Sequence, residues 1–236
     1  MINLIFDVDD TLYNQLTPFY IAYDKVFSSI KNISVKDLYI SSRKHSDEVF
    51  HLTESGKMSI EEMHVYRIIK AFEELGNPIT EKDAQNFQNE YIYQQSQITL
   101  IPEMEQVLNF AKEKNINIGI ITNGPSSHQR MKLNQLNIEK WVDEENIFIS
   151  SEVGFSKPDI NIFRLVEQFM SLDRENTYYV GDSYKNDVIG AKKAGWKSIW
   201  MNHREHRVKE LVYKPDFIIL NYQEIPLLYK KLFKDI

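Results

Sequence analysis

The sequence has 236 residues, of which 42% are hydrophobic and 26% are charged, and its formal net charge is −6. This composition is ordinary for a globular protein with a sizeable core, and the negative charge disfavours binding of a nucleic-acid polymer, which depends on neutralising phosphates. The chain contains no cysteine, which excludes disulfides and thiolate-bound metals, so any metal would need oxygen or imidazole ligands.

The first predicted element is a strand, INLIF at residues 2–6, and the acidic stretch DVDDTL at residues 7–12 follows it directly. A strand that begins at residue 2 leaves no room for a signal peptide, and no apolar run approaches the ~20 residues of a membrane span. We therefore expect a cytoplasmic protein without a membrane segment.

The next segment, residues 14–99, has no clear strand pattern and predicts several helices. Ser59 with Glu62 and Thr80 with Asp83 are patterns typical of helix starts. The segment is therefore predicted to be a helical cap domain, inserted into a core domain made of residues 1–13 and 100–236. The predicted helices cover residues 17–30, 34–53, 59–75 and 80–95.

From residue 100 onward, short apolar runs alternate with helical periodicity. Strands that are apolar on both faces and alternate with helices predict an α/β fold, a Rossmann-like, doubly wound, mainly parallel sheet covered by helices. Ligands of such sheets bind at the carboxyl ends of the strands. The predicted strands of this part are residues 116–122, 146–150, 177–181, 197–201 and 216–220.

Two carboxylates follow the first strand. Asp7 and Asp9 would face a common site if the extended geometry continues, because alternate residues of a strand point to the same side. Such carboxylates repel each other unless one is protonated or a cation such as Mg²⁺ lies between them. An acidic turn that ends the strand explains the same residues equally well.

Polar side chains also follow the later strands. Thr122 and Asn123 lie in ITNGPSS, Lys157 lies in a loop before a predicted helix, and Asp182 and Asp187 lie in VGDSYKND. Taken singly, these residues fit ordinary turns, a solvated lysine and a capping aspartate. Gathered at one edge of a parallel sheet, they would combine ligands for a dication with a positive charge and neutral donors, as phosphoryl transfer requires.

The four segments, in this order and spacing, resemble the four motifs of the haloacid dehalogenase superfamily, and the helical insert resembles the cap of its subfamily I. The stretches TNGPSSHQRMKLNQLNI and WMNHREHR are similar to a bacterial branch that includes pyrimidine 5′-nucleotidases and broad-range phosphatases. The resemblance implies a phosphatase acting on a small phosphorylated metabolite, with a nucleoside 5′-monophosphate as one candidate.

The resemblance also implies a role for each residue. Asp7 would be the nucleophile that forms an aspartyl-phosphate, and Asp9 the general acid and then the general base. Thr122, Asn123 and Lys157 would bind the phosphoryl group. The implied ligands of Mg²⁺ are Asp7, the backbone carbonyl of Asp9, and Asp182, with Asp187 helping from further out or through water.

Asp9 argues against dehalogenation, but two alternatives to a phosphatase remain open. Dehalogenases of the superfamily lack the second aspartate, because a halide leaving group needs no proton, so Asp9 favours phosphate chemistry. A phosphomutase of the same fold is one alternative, although such relatives commonly have Gly where this chain has Asp10. A non-catalytic phosphate-binding module is the other, although no charged group of the set is missing.

The remaining predictions concern Asp10, the loop HREHR, the partner and assembly, and the residues of the cap. Asp10 has no assigned chemistry and is predicted to cap or turn the chain toward the insert, and HREHR, with His203 and His206, is interpreted as a solvated loop. The expected partner is a small phosphorylated metabolite, with no nucleic-acid polymer and no membrane, and the expected assembly is a monomer or homodimer. The cap residues considered for specificity or core packing are Arg43, His45, His51, Tyr66, Arg67, Phe19, Tyr20 and Tyr23.

Overall fold

The computed structural model describes residues 2–208 and 210–233, and these contain one six-stranded sheet. The strand order is β3-β2-β1-β4-β5-β6, and every neighbouring pair is parallel. The predicted parallel α/β fold is therefore confirmed. The strands are β1 (Asn3–Phe6), β2 (Asn117–Thr122), β3 (Ile147–Ile149), β4 (Thr177–Gly181), β5 (Lys197–Met201) and β6 (Phe217–Ile219).

Helices fill the connections, and the four helices predicted between β1 and β2 are all present. Ser59 and Thr80 begin two of them with reciprocal capping bonds, as their sequence patterns predict. The α-helices are α1 (Leu16–Phe27), α2 (Val35–Glu54), α3 (Ile60–Glu74), α4 (Glu81–Gln95), α5 (Pro102–Glu113), α6 (Ser126–Gln135), α7 (Ser150–Val153), α8 (Ile160–Phe169), α9 (Ile189–Ala194) and α10 (Glu224–Leu232).

Strand β1 lies in the middle of the sheet and is buried on both faces. Leu4 and Phe6 pack into the core on the side of α5 and α10, whereas Ile5 packs on the opposite side, in the cluster that contains Phe163 of α8. The alternation of side chains along the strand produces this division, and it explains why β1 is almost continuously apolar.

The path of the chain creates a crevice at one edge of the sheet. After β1 the chain forms β2 and β3 on one side, and then crosses to form β4 on the other side of β1. In open parallel sheets this reversal leaves a gap at the carboxyl ends of the central strands, where ligands bind.

Gln15–Gln97 form a separate compact unit, and the described residues on either side of it form the other. Within this helical unit α1 packs against α4 and α2 against α3. Phe19 makes edge contacts with the rings of Tyr39, Phe87 and Tyr91, so it belongs to the core of the unit, whereas Tyr20 is 55% exposed. No described helix of the chain combines the length and apolarity needed to span a membrane.

Polar residues of the helical unit have partners inside it. His45 hydrogen-bonds through its two ring nitrogens with Glu48 (2.8 Å) and Glu74 (2.9 Å). Arg67 is buried and donates a hydrogen bond of 3.2 Å to the Gln88 side chain. These contacts give both side chains a structural role within the helical unit.

Candidate active site

The carboxyl ends of β1, β2 and β4 bring the sequence motifs together. Phe6 pairs with Ile120 of β2 and with Val180 of β4, so the residues after these positions lie side by side. The backbone N–H of Asp7 donates to the Val180 carbonyl at 2.9 Å, which extends the β1–β4 pairing by one residue. Asp7 is therefore held by the sheet itself.

Lys157 lies at the centre of the site, and its side chain is only 3% exposed. Its ammonium donates hydrogen bonds of 2.7 Å to Oδ1 of Asp7 and 2.7 Å to Oδ1 of Asp187, and one of 2.8 Å to the Tyr179 hydroxyl. Burial lowers the pKa of Lys157, but the charges of Asp187 and Asp7 outweigh it and raise the pKa above the ordinary lysine value. The buried lysine is therefore a fixed positive charge.

Tyr179 positions this lysine, and the sequence patterns did not single it out. Its hydroxyl accepts a hydrogen bond from Lys157 and donates one of 2.9 Å to the Ile121 carbonyl, so it ties β4 to β2 beneath the ammonium. Burial raises the pKa of Tyr179 well above its usual value, which keeps the hydroxyl as a donor.

Asp7, Asp182 and Asp187 form a cluster in which one carboxylate oxygen of each lies within 4.8 Å of the others. The pKa of Asp7 is raised to about 7, because burial, together with the charges of Asp187 and Asp9, outweighs the lowering by Lys157. The single positive charge of Lys157 therefore does not neutralise the negative charge of the three carboxylates. Hard oxygen donors with excess negative charge fit a divalent cation such as Mg²⁺.

Asp187 reaches the cluster from a π-helical turn, Tyr184–Val188, that precedes α9. Its Oδ1 accepts from Lys157, and its Oδ2 accepts a 2.8 Å hydrogen bond from the backbone N–H of Ser183. A side chain at residue 181 would overlap with this carboxylate, so the glycine that ends β4 makes the close approach possible.

Thr122 is the last residue of β2, the strand that pairs with β1. Its hydroxyl oxygen is buried and has no hydrogen-bond partner among the described residues. Buried hydroxyl groups normally have a partner, so a lone one at the carboxyl end of β2 suits an anionic ligand such as phosphate.

The Asn123 side chain holds the Lys157 loop. Its Nδ2 donates to the Lys157 carbonyl, and its Oδ1 accepts from the Lys157 backbone N–H, both at 2.9 Å. The amide of Asn123 thereby fixes the segment that carries the central lysine.

Asp9 faces a second buried lysine, which the sequence analysis missed. Lys132 of α6 lies 2.6 Å from each carboxylate oxygen of Asp9, and the Tyr13 hydroxyl donates to Oδ1 at 2.5 Å. The available signal was helical spacing: Lys132 lies three residues after Gln129 and next to Leu133, and all three are on the buried face of α6. A lysine on the buried face of a helix requires an acidic partner.

Asp10 and the loop after β5 require corrections. Asp10 does turn the chain, with φ of +55°, but its buried carboxylate also accepts two hydrogen bonds from the buried guanidinium of Arg204. The interpretation of HREHR as a solvated loop is wrong for its first two residues, because the His203 side chain is 7% exposed and packs against Tyr222. His206 is exposed, as expected.

The electrostatics of this second cluster differ from those around Asp7. Burial raises the pKa of Asp10, but the hydrogen bonds and the charge of Arg204, together with the neighbouring His203 at 3.7 Å, outweigh it and hold the pKa well below the usual range. Asp10 is therefore a permanent anion that is fully paired.

Comparison with known proteins shows which families the chain is similar to. The model of the family described as haloacid dehalogenase-like hydrolase matches residues 4–201. The chain is 38% identical over 110 residues to pyrimidine 5′-nucleotidase YjjG of Escherichia coli (strain K12), covering 45% of the chain and 48% of that protein. It is 36% identical over 101 residues to glyceraldehyde 3-phosphate phosphatase of Methanothermobacter thermautotrophicus, covering 43% and 44%. The aligned part of the chain thus spans about half the length of these curated relatives.

Solved structures share the fold over almost the whole chain. A magnesium-bound HAD-hydrolase, YfnB of Bacillus subtilis, superposes with a TM-score of 0.70 at 24% identity, covering 96% of this chain and 97% of that one. A dehalogenase with an intermediate complex superposes with a TM-score of 0.77 at 14% identity, covering 97% and 96%. At these identities the likeness concerns the fold, and the chemistry must come from the residues of the site.

Proposed function

Because the chain belongs to the haloacid dehalogenase-like hydrolase family, we propose that it is a Mg²⁺-dependent phosphatase that works through an aspartyl-phosphate on Asp7. The observation that carries the proposal is the arrangement around Lys157, whose ammonium touches Asp7 and Asp187 at 2.7 Å. It provides a rigidly mounted carboxylate, a fixed positive charge and a carboxylate cluster at one point of the sheet.

The site's own residues account for the chemical steps. The Asp7 carboxylate would attack phosphorus, forming an O–P bond while the bond to the leaving oxygen breaks. Asp9 would give a proton to that oxygen and would then take one from the water that hydrolyses the aspartyl-phosphate, which regenerates Asp7 and releases phosphate. The Thr122 hydroxyl would donate a hydrogen bond to a phosphoryl oxygen. Lys157, whose three N–H groups already donate to Asp7, Asp187 and Tyr179, would stabilise the bound phosphoryl group through its positive charge.

The negative charges around phosphorus need more than one lysine. Bound Mg²⁺ would offset the charge of the nucleophile and the phosphate, held by Asp7, the Asp9 carbonyl and Asp182, with Asp187 at greater distance or through water. Since both oxygens of Asp187 already accept hydrogen bonds, an indirect role suits that residue.

The presence of Asp9 favours a phosphate ester over an organic halide as the substrate. An alkoxide is a poor leaving group that needs a proton, whereas a halide leaves without one. A proton carrier held beside the nucleophile therefore supports the phosphatase proposal over the chemistry of dehalogenases with the same fold.

The substrate class proposed is a small phosphorylated metabolite. Relatives include, by name, nucleotidases, glyceraldehyde 3-phosphate phosphatases and a phosphoserine phosphatase, whose substrates share the phosphoryl group. The nucleoside 5′-monophosphates are the first class to test, because relatives named pyrimidine 5′-nucleotidase include one aligned over 94% of this chain.

The test is a release assay with the purified protein and Mg²⁺. The panel would contain nucleoside 5′-monophosphates, triose and sugar phosphates, phosphoserine, p-nitrophenyl phosphate and a 2-haloacid. We expect phosphate release that disappears in Asp7→Asn while the far-ultraviolet circular dichroism is unchanged. Halide release from the haloacid, or no phosphate from any compound, would reject the proposal.

A further inference from the structure

Among the described residues Lys132 and Lys157 are the buried lysines, and the proposed reaction steps do not use Lys132. Its side chain is 1% exposed, and its ammonium lies 2.6 Å from both Oδ1 and Oδ2 of Asp9. Burying an ammonium is costly unless it is paired, so the position of Lys132 depends on the aspartate.

The Asp9 carboxylate is held by donors from two parts of the chain. Lys132 and Gln129 approach it from α6, with Gln129 Nε2 at 3.4 Å from Oδ2, and the Tyr13 hydroxyl donates to Oδ1 at 2.5 Å. Asp9 lies beyond the last residue of β1, so the ladder of the sheet does not fix its side chain. These donors supply the orientation instead.

Lys157 and Lys132 therefore pair with different carboxylates. Lys157 contacts Asp7 and Asp187, and Lys132 contacts Asp9. We propose that Lys132 is a positioning residue for the proton carrier Asp9: it fixes the direction of that carboxylate, so that the leaving oxygen can be protonated. This inference rests on the proposed phosphatase activity.

The inference predicts which substrates suffer when Lys132 is replaced. A misdirected Asp9 slows the departure of an alkoxide, which needs its proton, much more than that of p-nitrophenolate, which leaves largely unaided. The effect falls on kcat, since neither Lys132 nor Asp9 is assigned to holding the phosphate.

The experiment compares Lys132→Met, Lys132→Arg and wild type with two substrates, the best alkyl phosphate of the panel and p-nitrophenyl phosphate. For Lys132→Met we expect kcat on the alkyl phosphate to fall at least about tenfold, within the ~10² to 10⁴ that proton transfer contributes. We expect a several-fold smaller loss on p-nitrophenyl phosphate, a KM within about twofold, and partial recovery in Lys132→Arg. An equal loss on both substrates, an unchanged kcat or a change confined to KM would overturn the inference.

Tyr13→Phe provides a second test of the inference, because it removes only the hydroxyl that donates to Asp9 and leaves the pair of Lys132 and Asp9 intact. If Lys132→Met fails to fold, the same leaving-group difference is expected in Tyr13→Phe, in smaller degree, and its absence there would overturn the inference. Failure of the proposed function looks different: wild type itself would then release no phosphate, and the inference would be rejected with it.

Discussion

The Arg204 guanidinium donates two hydrogen bonds of 2.5 Å to the two carboxylate oxygens of Asp10, from a position 194 residues further along the chain. The same guanidinium donates to the Asn14 side chain at 2.7 Å. The loop after β5 is thereby fastened to the loop after β1, which carries Asp7 and Asp9. Paired, bidentate contacts of this kind fix geometry as well as charge.

Removing one partner of this pair should be costly. Arg204→Met leaves the buried, ionised Asp10 without its cation, and we expect a loss of about 3–5 kcal/mol in the free energy of unfolding. Adding Asp10→Asn removes the stranded charge with a residue that tolerates positive φ, so the double variant should be more stable than Arg204→Met alone. Urea unfolding of the three proteins measures both effects.

The matched control is the exposed pair of Arg130 and Glu152, whose hydrogen bonds of 3.0 and 2.8 Å have the same forked form. Their side chains are 31% and 29% exposed, so Arg130→Met should cost no more than about 1 kcal/mol. Equal losses at the two sites would mean that burial of the Asp10 pair does not set its energy.

Thr122→Val should separate stability from phosphate binding. The threonine hydroxyl is buried without a hydrogen-bond partner among the described residues, and valine has nearly the same shape. We expect the free energy of unfolding to be unchanged or higher by about 1 kcal/mol, because a buried unsatisfied group is removed. On phosphate substrates kcat/KM should fall about tenfold, as a hydrogen bond to an anion is lost.

The serine variant is the control for this prediction. Thr122→Ser keeps the hydroxyl and should keep most of kcat/KM, while the loss of a buried methyl lowers stability by about 1 kcal/mol. A Thr122→Val protein with wild-type kinetics would remove Thr122 from the phosphate site.

Magnesium should stabilise the folded protein through the carboxylate cluster. A ligand at 100 times its Kd adds about 2.7 kcal/mol to the free energy of unfolding, so Mg²⁺ should raise the thermal midpoint of wild type. Asp182→Asn removes a charged ligand and should abolish most of that shift, whereas Asp24→Asn, an exposed residue of α1, should not. A full Mg²⁺ shift in Asp182→Asn would place the metal elsewhere.

The parts of the site that follow from strand ends could be predicted from the sequence. An apolar run locates β1 and β4, the parallel sheet aligns their carboxyl ends, and Asp7 and Asp182 follow directly. Lys157 could be predicted only from its place in a motif, because a loop lysine alone carries no periodic signal.

The contacts between distant segments could not be predicted in this way. Lys132 meets Asp9 because α6 packs with that face against the core, and Arg204 meets Asp10 because the chain turns back after β5. Each partner looks like a solvated charge when its neighbours in sequence are the only guide. A charged residue at helical spacing from buried ones, as at Lys132, is the signal that deserves weight.

Acid should weaken the helical unit through Glu74. Its carboxylate accepts hydrogen bonds from Ser41 (2.7 Å) and Lys44 (3.0 Å), and it hydrogen-bonds with His45 at 2.9 Å. The bonds from Ser41 and Lys44 lower the pKa of Glu74 to about 2 from its ordinary 4.5. Since the folded protein binds this proton less readily than the unfolded chain, the stabilisation is complete above about pH 5.5 and disappears as the pH falls through 4.5 toward 2.

Glu74→Gln isolates this contribution, because the amide keeps the shape and loses the charge. We expect the difference in the free energy of unfolding between wild type and Glu74→Gln to be constant above about pH 5.5 and to narrow steadily below pH 4.5. The side chain is 43% exposed, so 1 M NaCl, with a Debye length of about 3 Å, should shrink the difference at neutral pH. Urea unfolding at several pH values measures it, and a difference that stays constant from pH 7 to pH 3 would show that the Glu74 charge does not stabilise the fold.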